Sequence, residues 1–377
     1  MKLPQSIIKL FFFSFLHVVA LCQVPGIYSM GSYMPLLKNK NVGLVVNHTS
    51  IIDNKHLIDT LVSLDVKITS IFSPEHGFSG KYNAGEYIND SLYNGIIPII
   101  SLYGKNKKLN DLDLKNLDVL IFDIQDVGVR FYTYISTLHY VMEGCARNNI
   151  KLILLDRPNP HAHYVDGPIM RQDFKSFVGM HSVPIVYGMT IGEYALMING
   201  ERWLLNNLIC DLHVVKISSY SRFEIVEYNM SPAPSPNLPN LNSILLYPSL
   251  CLFEGTSISI GRGTDFPFEV FGAPFFLVDT SIFNFSFRPS PNLGSKFPKH
   301  NGNLCYGLDL RNTLIHNDLY SQSWIKETGF IDLKYIIQAY NFTPDIDKVS
   351  FFNNFFDKLA GNSELRLQIM SGSNESQ

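Results

Sequence analysis

Seven stretches of the chain are nearly unbroken apolar runs: 41–50 (NVGLVVNHTS), 66–72 (VKITSIF), 95–104 (GIIPIISLYG), 117–128 (LDVLIFDIQDVG), 150–160 (IKLILLDRPNP), 183–188 (VPIVYG) and 211–217 (DLHVVKI). Strands that alternate apolar and polar residues have one wet face, whereas continuous runs read as strands buried on both faces. The segments between them carry helical spacing. In 56–64, Leu57, Leu61 and Leu64 share a face, and 134–149 (YISTLHYVMEGCARNN) is amphipathic. Thr190 with Glu193 three residues on is a capping box, so a helix starts there. Buried strands alternating with helices predict an α/β fold, a Rossmann-like doubly wound and mainly parallel sheet. The nucleotide fingerprint GxGxxG is absent. From about Met230 the texture changes. Residues 231–240 (SPAPSPNLPN) cannot be helix interior, and 252–274 mixes Gly, Thr and charges with short strand-like pieces. A linker or crossover followed by a smaller α+β domain is expected, with a Rossmann-like catalytic domain over 23–235 and the second domain over 236–377. The final SGSNESQ reads as a frayed tail.

Polar clusters in the first part fall just after predicted strands: Asn47 with His48, Glu75 with His76, Ser101 with Tyr103, Asp123 to Asp126, and Asp156 with Arg157. Ligands of open parallel sheets bind outside the carboxyl ends of the strands, so these clusters are expected to share one rim. Glu75 and His76, in FSPEHGF (72–78), stand where Pro74 favours a turn and Gly77 permits close approach. A partly desolvated Glu there is a candidate general acid; the plainer alternative is a Glu that caps the next segment. Glu86, in NAGEYIND, is a candidate second carboxylate or an exposed loop residue. Asp123 ends the most apolar strand, where an unpaired charge would be costly. Asp126 is a candidate base and Arg130 a candidate bidentate anion holder, or the two pair to fix their loop. Tyr132 and Tyr134 are candidates to stack on a ligand. In the second part Asn237 offers neutral hydrogen bonds, beside Ser235, while Glu254 and Arg262 either face a ligand or pair with each other.

The chain has 377 residues, 46% of them hydrophobic and 17% charged, with formal net charge -3 from 30 basic and 33 acidic side chains. No basic patch stands out, so a nucleic-acid partner is not expected. Lys2 and Lys9 flank the start of an apolar stretch, 11–21, that is too short to span a bilayer comfortably; residues 1–22 read as a secretory signal peptide, with a lipoprotein anchor at Cys22 or an uncleaved anchor as alternatives. Export to the periplasm or the outside is expected, and no integral membrane partner. The other four cysteines are too sparse for a disulfide scaffold and form no CxxC, so they read as small buried hydrophobes. His161 and His163 form an HxH pair in a Pro-rich loop, without the carboxylates or helical register of a metal site, and no metal or other cofactor is expected.

Several ordered motifs carry a resemblance: SPEHGF, AGE, DVLIFDIQDVGVRFYTYISTLHYVM, LDRPNP with VDGP, GMTIGEYA, PSPNLPN and YPSLCLFEGTSISIGRGTDFPFE. Together they resemble the bacterial exo-β-N-acetylmuramidases of NamZ type, formerly a domain of unknown function, over about residues 30 to 370. Two departures are visible: His161-Ala162 stands where the family commonly has Asn-Gly, and the C-terminus reads as short. The resemblance implies a glycoside hydrolase that releases N-acetylmuramic acid from the non-reducing end of peptidoglycan fragments such as MurNAc-GlcNAc. It also implies a site in the cleft between a Rossmann-like domain and a smaller one. On that basis Glu75 is the acid/base with His76 orienting it, Asp126 or Glu86 the second carboxylate, and Arg130, Arg157 and Arg262 the candidates for the lactyl carboxylate. Asn47, Asp123, Tyr132, Tyr134, Asn237 and Glu254 complete the expected sugar site; Asp123 would orient an acetamido group acting as internal nucleophile. The alternatives are an inactive cell-wall-sugar binding protein and a metal-dependent hydrolase or deacetylase.

Overall fold

The structure, a computed structural model, describes residues 23–81, 91–104, 106–222, 232–278, 281–311, 313–314 and 328–374. The expected signal peptide, 1–22, and Glu86 lie outside the described residues. The strands are β1 Val42–Val46, β2 Ile51–Ile52, β3 Lys55–His56, β4 Ile68–Ser73, β5 Ser91–Tyr93, β6 Ile97–Ser101, β7 Val119–Asp123, β8 Lys151–Leu155, β9 Leu212–Val215, β10 Val270–Ala273, β11 Phe285–Phe287 and β12 Cys305–Asp309. The helices are α1 Met30–Leu37, α2 Leu57–Ser63, α3 Asp111–Leu114, α4 Tyr134–Asn148, α5 Ile191–Gly200, α6 Leu241–Leu250, α7 Lys334–Phe342, α8 Asp345–Lys348, α9 Asn354–Ala360 and α10 Glu364–Met370.

The main sheet runs β5-β6-β4-β1-β7-β8-β9, parallel throughout except where β5 pairs antiparallel with β6. After β1 the chain builds outward through β4 to β6, then crosses to the other side of β1 for β7, β8 and β9. The expected strand at 183–188 does not form. Pro184 removes a backbone donor, and Val186 makes only isolated bridges to Val129 and Asp166. The capping box at the start of α5 is present: Thr190 accepts from the Glu193 amide and the Glu193 carboxylate accepts from the Thr190 amide.

The unbroken apolar runs are explained by the two covered faces. Leu44, Val46, Ile71, Ile121, Ile153 and Leu155 face one core, where Tyr33 and Leu37 of α1 and Leu57, Ile58 and Leu61 of α2 close over them. Their neighbours Val45, Phe72, Leu120, Phe122, Leu152 and Leu154 face the other. This second core is shared with the C-terminal part. That part carries its own antiparallel sheet, β10-β12-β11, yet Leu246, Phe253, Phe271, Phe356 and Ile369 belong to the same apolar cluster as Phe122.

One buried cation ties the two parts together. Arg130 has no exposed surface. Its guanidinium donates to the carbonyls of Pro168 (2.8 Å) and Val183 (2.6 Å) on the N-terminal side and of Leu359 (2.9 Å) and Ala360 (2.8 Å) at the end of α9. Burial pulls its pKa down to about 10, still far above neutral pH, so the charge is met by four carbonyl dipoles. Gly361 follows at φ +82, and a Cβ there would sit 2.7 Å from the Arg130 Nη2. Arg130→Lys cannot reach all four acceptors, and each buried carbonyl left unpaired costs about 1–3 kcal/mol. Chemical denaturation should therefore show a clearly lower midpoint for Arg130→Lys, with Gly361→Ala shifted in the same direction. Wild-type midpoints in both would remove the clamp from the account of stability.

Candidate active site

Glu75 sits two residues beyond the end of β4, next to β1 where the strand order reverses. This is the crevice position at which open parallel sheets bind ligands. The turn is tight: Gly77 N donates to Pro74 O at 3.0 Å, and His76 adopts φ 68, uncommon for a non-glycine residue. Both side chains are nearly buried, Glu75 8% and His76 5% exposed. The Thr133 hydroxyl, just before α4, donates to Glu75 Oε2 at 2.5 Å. The His76 Nε2 lies 3.2 Å from Ser235 Oγ, which in turn accepts from the Asn237 amide.

These residues line a cleft of about 420 Å³. Phe131, Tyr132, Thr133 and Leu238 line it together with Tyr103, Lys107 and Phe177 from N-terminal loops, and with Tyr247, Glu254, Arg262, Phe268 and Lys358 from the C-terminal part. The Pro-rich stretch expected to be a linker is part of the wall. Ala233 O contacts the His48 ring at 2.7 Å, Pro234 O accepts from Tyr132 at 2.9 Å, and the Asn237 amide donates to Gly294 O at 2.7 Å. From the C-terminal part, Glu254 pairs with Arg262 at 2.5 Å, and the Arg262 guanidinium lies over the Phe268 ring. Lys299 shapes this loop from behind by donating to the carbonyls of Phe253, Glu254, Thr256 and Ile258.

Of the candidates offered by the sequence, Glu75, His76, Tyr103, Tyr132, Ser235, Asn237, Glu254 and Arg262 line the cleft. Six of the others are held elsewhere, each for a physical reason. Asp123 and Arg157 form a buried bidentate pair, 2.6 and 2.9 Å, so neither is free for a ligand. Arg130 is the carbonyl clamp. Asn47 is fully buried; it accepts from Thr49 and donates to the Tyr134 hydroxyl, which itself reaches the Glu75 carbonyl at 3.5 Å. Asn47 and Tyr134 therefore support the Glu75 turn from below. Asp126 accepts from the Tyr187 hydroxyl at 2.5 Å and the Gly128 amide at 2.7 Å, behind the cleft. Thr133, Lys107, Phe177, Tyr247, Phe268 and Lys358 were not picked out. Thr133 lies within the motif RFYTY and Tyr247 and Phe268 within YPSLCLFEGTSISIGRGTDFPFE, whereas Lys107, Phe177 and Lys358 carry no local signal.

Among the described residues no group of three or more His, Cys, Asp and Glu side chains is placed to hold a metal ion. His161 and His163 are buried, and the His161 Nδ1 lies 2.7 Å from Val127 O. The four described free cysteines are buried, and no helix among the described residues is long and apolar enough to cross a membrane.

The family model described as exo-beta-N-acetylmuramidase NamZ, N-terminal, matches residues 42–242, and its C-terminal counterpart matches residues 245–377. The peptidoglycan beta-N-acetylmuramidase NamZ of Bacillus subtilis (strain 168) is 39% identical over 354 residues, which cover 90% of this chain and 82% of that protein. Crystal structures of two DUF1343 family proteins from Bacteroides fragilis NCTC 9343 have the same fold. One is 42% identical with a TM-score of 0.81, covering 94% of this chain and 92% of the other. The second is 28% identical with a TM-score of 0.76, covering 94% and 93%.

Titration of the buried groups sets a pH signature. Burial pushes Asp126 and Asp156 up to about 6. It pushes His139, His161 and His163 down to about 4 and His181 down to about 2, and lowers His48 and His56. The stability from the two carboxyls is present at acid pH and is lost as pH rises from 3.8 through about 6. The stability from the histidines is present above 6.5 and is lost as pH falls toward their folded values. The histidines outnumber the carboxyls, so the thermal midpoint should rise between pH 4.5 and 7. In His161→Gln the rise should be smaller. A midpoint that falls over this range would show that the carboxyls dominate.

Proposed function

Because the chain belongs to the NamZ family of exo-β-N-acetylmuramidases, we propose that Glu75 is the group around which its reaction is built. The protein is a glycosidase that removes N-acetylmuramic acid from peptidoglycan fragments. The observation that carries the assignment of Glu75 is its position. It is a nearly buried carboxyl at the strand-order reversal, in the cleft, with one oxygen held by Thr133.

Cleaving a glycosidic bond takes a proton for the leaving oxygen and a negative group to meet the oxocarbenium-like transition state. With Thr133 on Oε2, the other oxygen of Glu75 is the one from which a proton passes to the glycosidic oxygen. His76, beside Ser235, holds the turn in which Glu75 sits. Of the second carboxylates weighed from the sequence, Asp126 lies behind the cleft and Glu86 outside the described residues. Among the described residues Glu254 is the carboxylate that shares the cleft with Glu75. We assign it the second role, with Arg262 keeping it oriented. Tyr132, tied to Pro234, and Tyr247 present rings to the sugar.

Residues 1–22 support export: two lysines flank the start of a short apolar stretch ahead of Cys22. On this reading the enzyme works in the periplasm or outside the cell, where peptidoglycan fragments arise. Sequencing the N-terminus of the protein recovered from its native compartment tests this, and an intact Met1 start in the cytoplasm would overturn it.

A chromogenic β-N-acetylmuramide and the disaccharide MurNAc-GlcNAc test the site. Glu75→Gln should lower kcat about 10²–10⁴-fold, the usual loss of a general acid, with the unfolding midpoint kept. Asp126→Asn should keep most of its activity, and Glu254→Gln should lose much of it. Full activity in Glu75→Gln would end the assignment, and loss of wild-type turnover on chelation would favour a metal-dependent hydrolase.

A further inference from the structure

The cleft contains more positive charge than its own carboxylates balance. Arg262 is matched by Glu254. Two lysines also line it, from distant parts of the chain: Lys107 on the loop after β6 and Lys358 in the last turn of α9. Their surroundings differ from those of adjacent cations. Lys108 forms an ion pair with Glu143 at 3.3 Å and lies over the Tyr140 ring. Lys107, one residue earlier, instead has its ammonium 4.3 Å above the Phe177 ring, and Phe177 stacks in parallel on Tyr140. The ring fixes the position of the Lys107 charge without neutralising it. Lys358 is exposed, and the two residues after it give their carbonyls to the Arg130 clamp. The clamp therefore fixes the backbone that presents Lys358. Neither lysine has an ion-pair partner among the described residues.

We propose that Lys107 and Lys358 form the receptor for the substrate's carboxylate, the acidic ether substituent that distinguishes muramic acid from glucosamine. The proposal rests on the muramidase reading and deepens it. The two arginines that looked suited to this task, Arg130 and Arg157, are consumed inside the fold by carbonyls and by Asp123. The third, Arg262, already carries a carboxylate. A ligand carboxylate reached by both ammonium groups gains charge-assisted hydrogen bonds, roughly twice as strong as neutral ones. Because the groups stand at a cleft open to solvent, that gain is screened by salt. The ammonium groups also offset the repulsion that an anionic substrate would meet from the Glu254 carboxylate. Selection for muramic acid over glucosamine thus comes from two side chains far apart in the chain that line one cleft.

The test compares three aryl glycosides: β-N-acetylmuramide, its methyl ester, and β-N-acetylglucosaminide. Wild type should prefer the acid over the ester, and the preference should shrink as salt is raised. In Lys107→Gln and in Lys358→Gln the ratio of kcat/KM for acid over ester should fall about tenfold, the usual scale of one charge-assisted hydrogen bond. The change should appear mainly in KM, and the double variant should lose the salt dependence. Lys108→Gln, whose charge is matched by Glu143, should keep the wild-type ratio. Equal loss on acid and ester, or an unchanged ratio in both lysine variants, overturns the proposal while leaving the muramidase reading in place. Calorimetric titration with N-acetylmuramic acid separates the two further. If wild type binds the sugar acid without cleaving any glycoside, and the double variant binds it more weakly, the receptor stands and the hydrolase reading falls. If wild type neither binds nor cleaves, both fall.

Discussion

The Arg130 guanidinium reaches four backbone carbonyls, two from loops beside the parallel sheet and two from the end of α9. A buried cation with no carboxylate is stable only if enough oriented dipoles surround it. Those dipoles are present only when the N-terminal loops and the C-terminal helices are docked together. The charge therefore makes docking and local folding one event. Gly361 completes the arrangement, because a side chain at that position would press on the guanidinium. The cleft is the space left between the parts so joined, and Lys358 and Leu359 of its wall lie in the turn that the clamp holds.

Beneath the cleft a second layer of polar groups is satisfied internally. Asp123 and Arg157 neutralise each other in full burial. Asp156 accepts from the Thr190 hydroxyl and the Gly192 amide and so anchors the start of α5. Asn47 and Tyr134 brace the turn that carries Glu75. Strand ends in a parallel sheet collect polar residues for two purposes, closing the ends of the layers and facing a ligand. Here Asn47, Asp123, Asp156 and Arg157 serve the first purpose, bound inside the fold, whereas Glu75, two residues past β4, lines the cleft. Distance from the strand end does not set the choice, because Arg157, also two residues past its strand, is taken up by Asp123. The Glu75 turn is itself braced by the internal layer, through Tyr134 and Asn47.

The part of the fold written in local pattern was legible in the sequence. Apolar runs such as VLIF in β7 allow only burial on both faces, and the Thr190–Glu193 box sets a helix start whatever lies around it. The rim of polar strand ends pointed to the turn of Glu75 and His76, and that turn lines the cleft, since an abrupt Pro-Glu-His-Gly after a buried strand has few places to go. The sequence did not determine which charges were already matched. Arg130, Arg157 and Arg262 look alike in a string of letters. Only tertiary packing sends one to carbonyls, one to Asp123 and one to Glu254 in the cleft, because ion pairing and burial depend on contacts between residues as far apart as Arg130 and Ala360. The same holds for Val186, whose apolar run pairs only through isolated bridges to Val129 and Asp166 with Pro184 lacking a donor, and for the Pro-rich stretch 232–238, which became a wall. Lys107 and Lys358, more than 200 residues apart, acquire a common role only when the C-terminal helices dock. The sequence by itself determined the layers and the turn that carries Glu75, because these follow from local periodicity and turn chemistry; the tertiary structure alone decided which charges are matched inside the fold, because that is settled by long-range pairing.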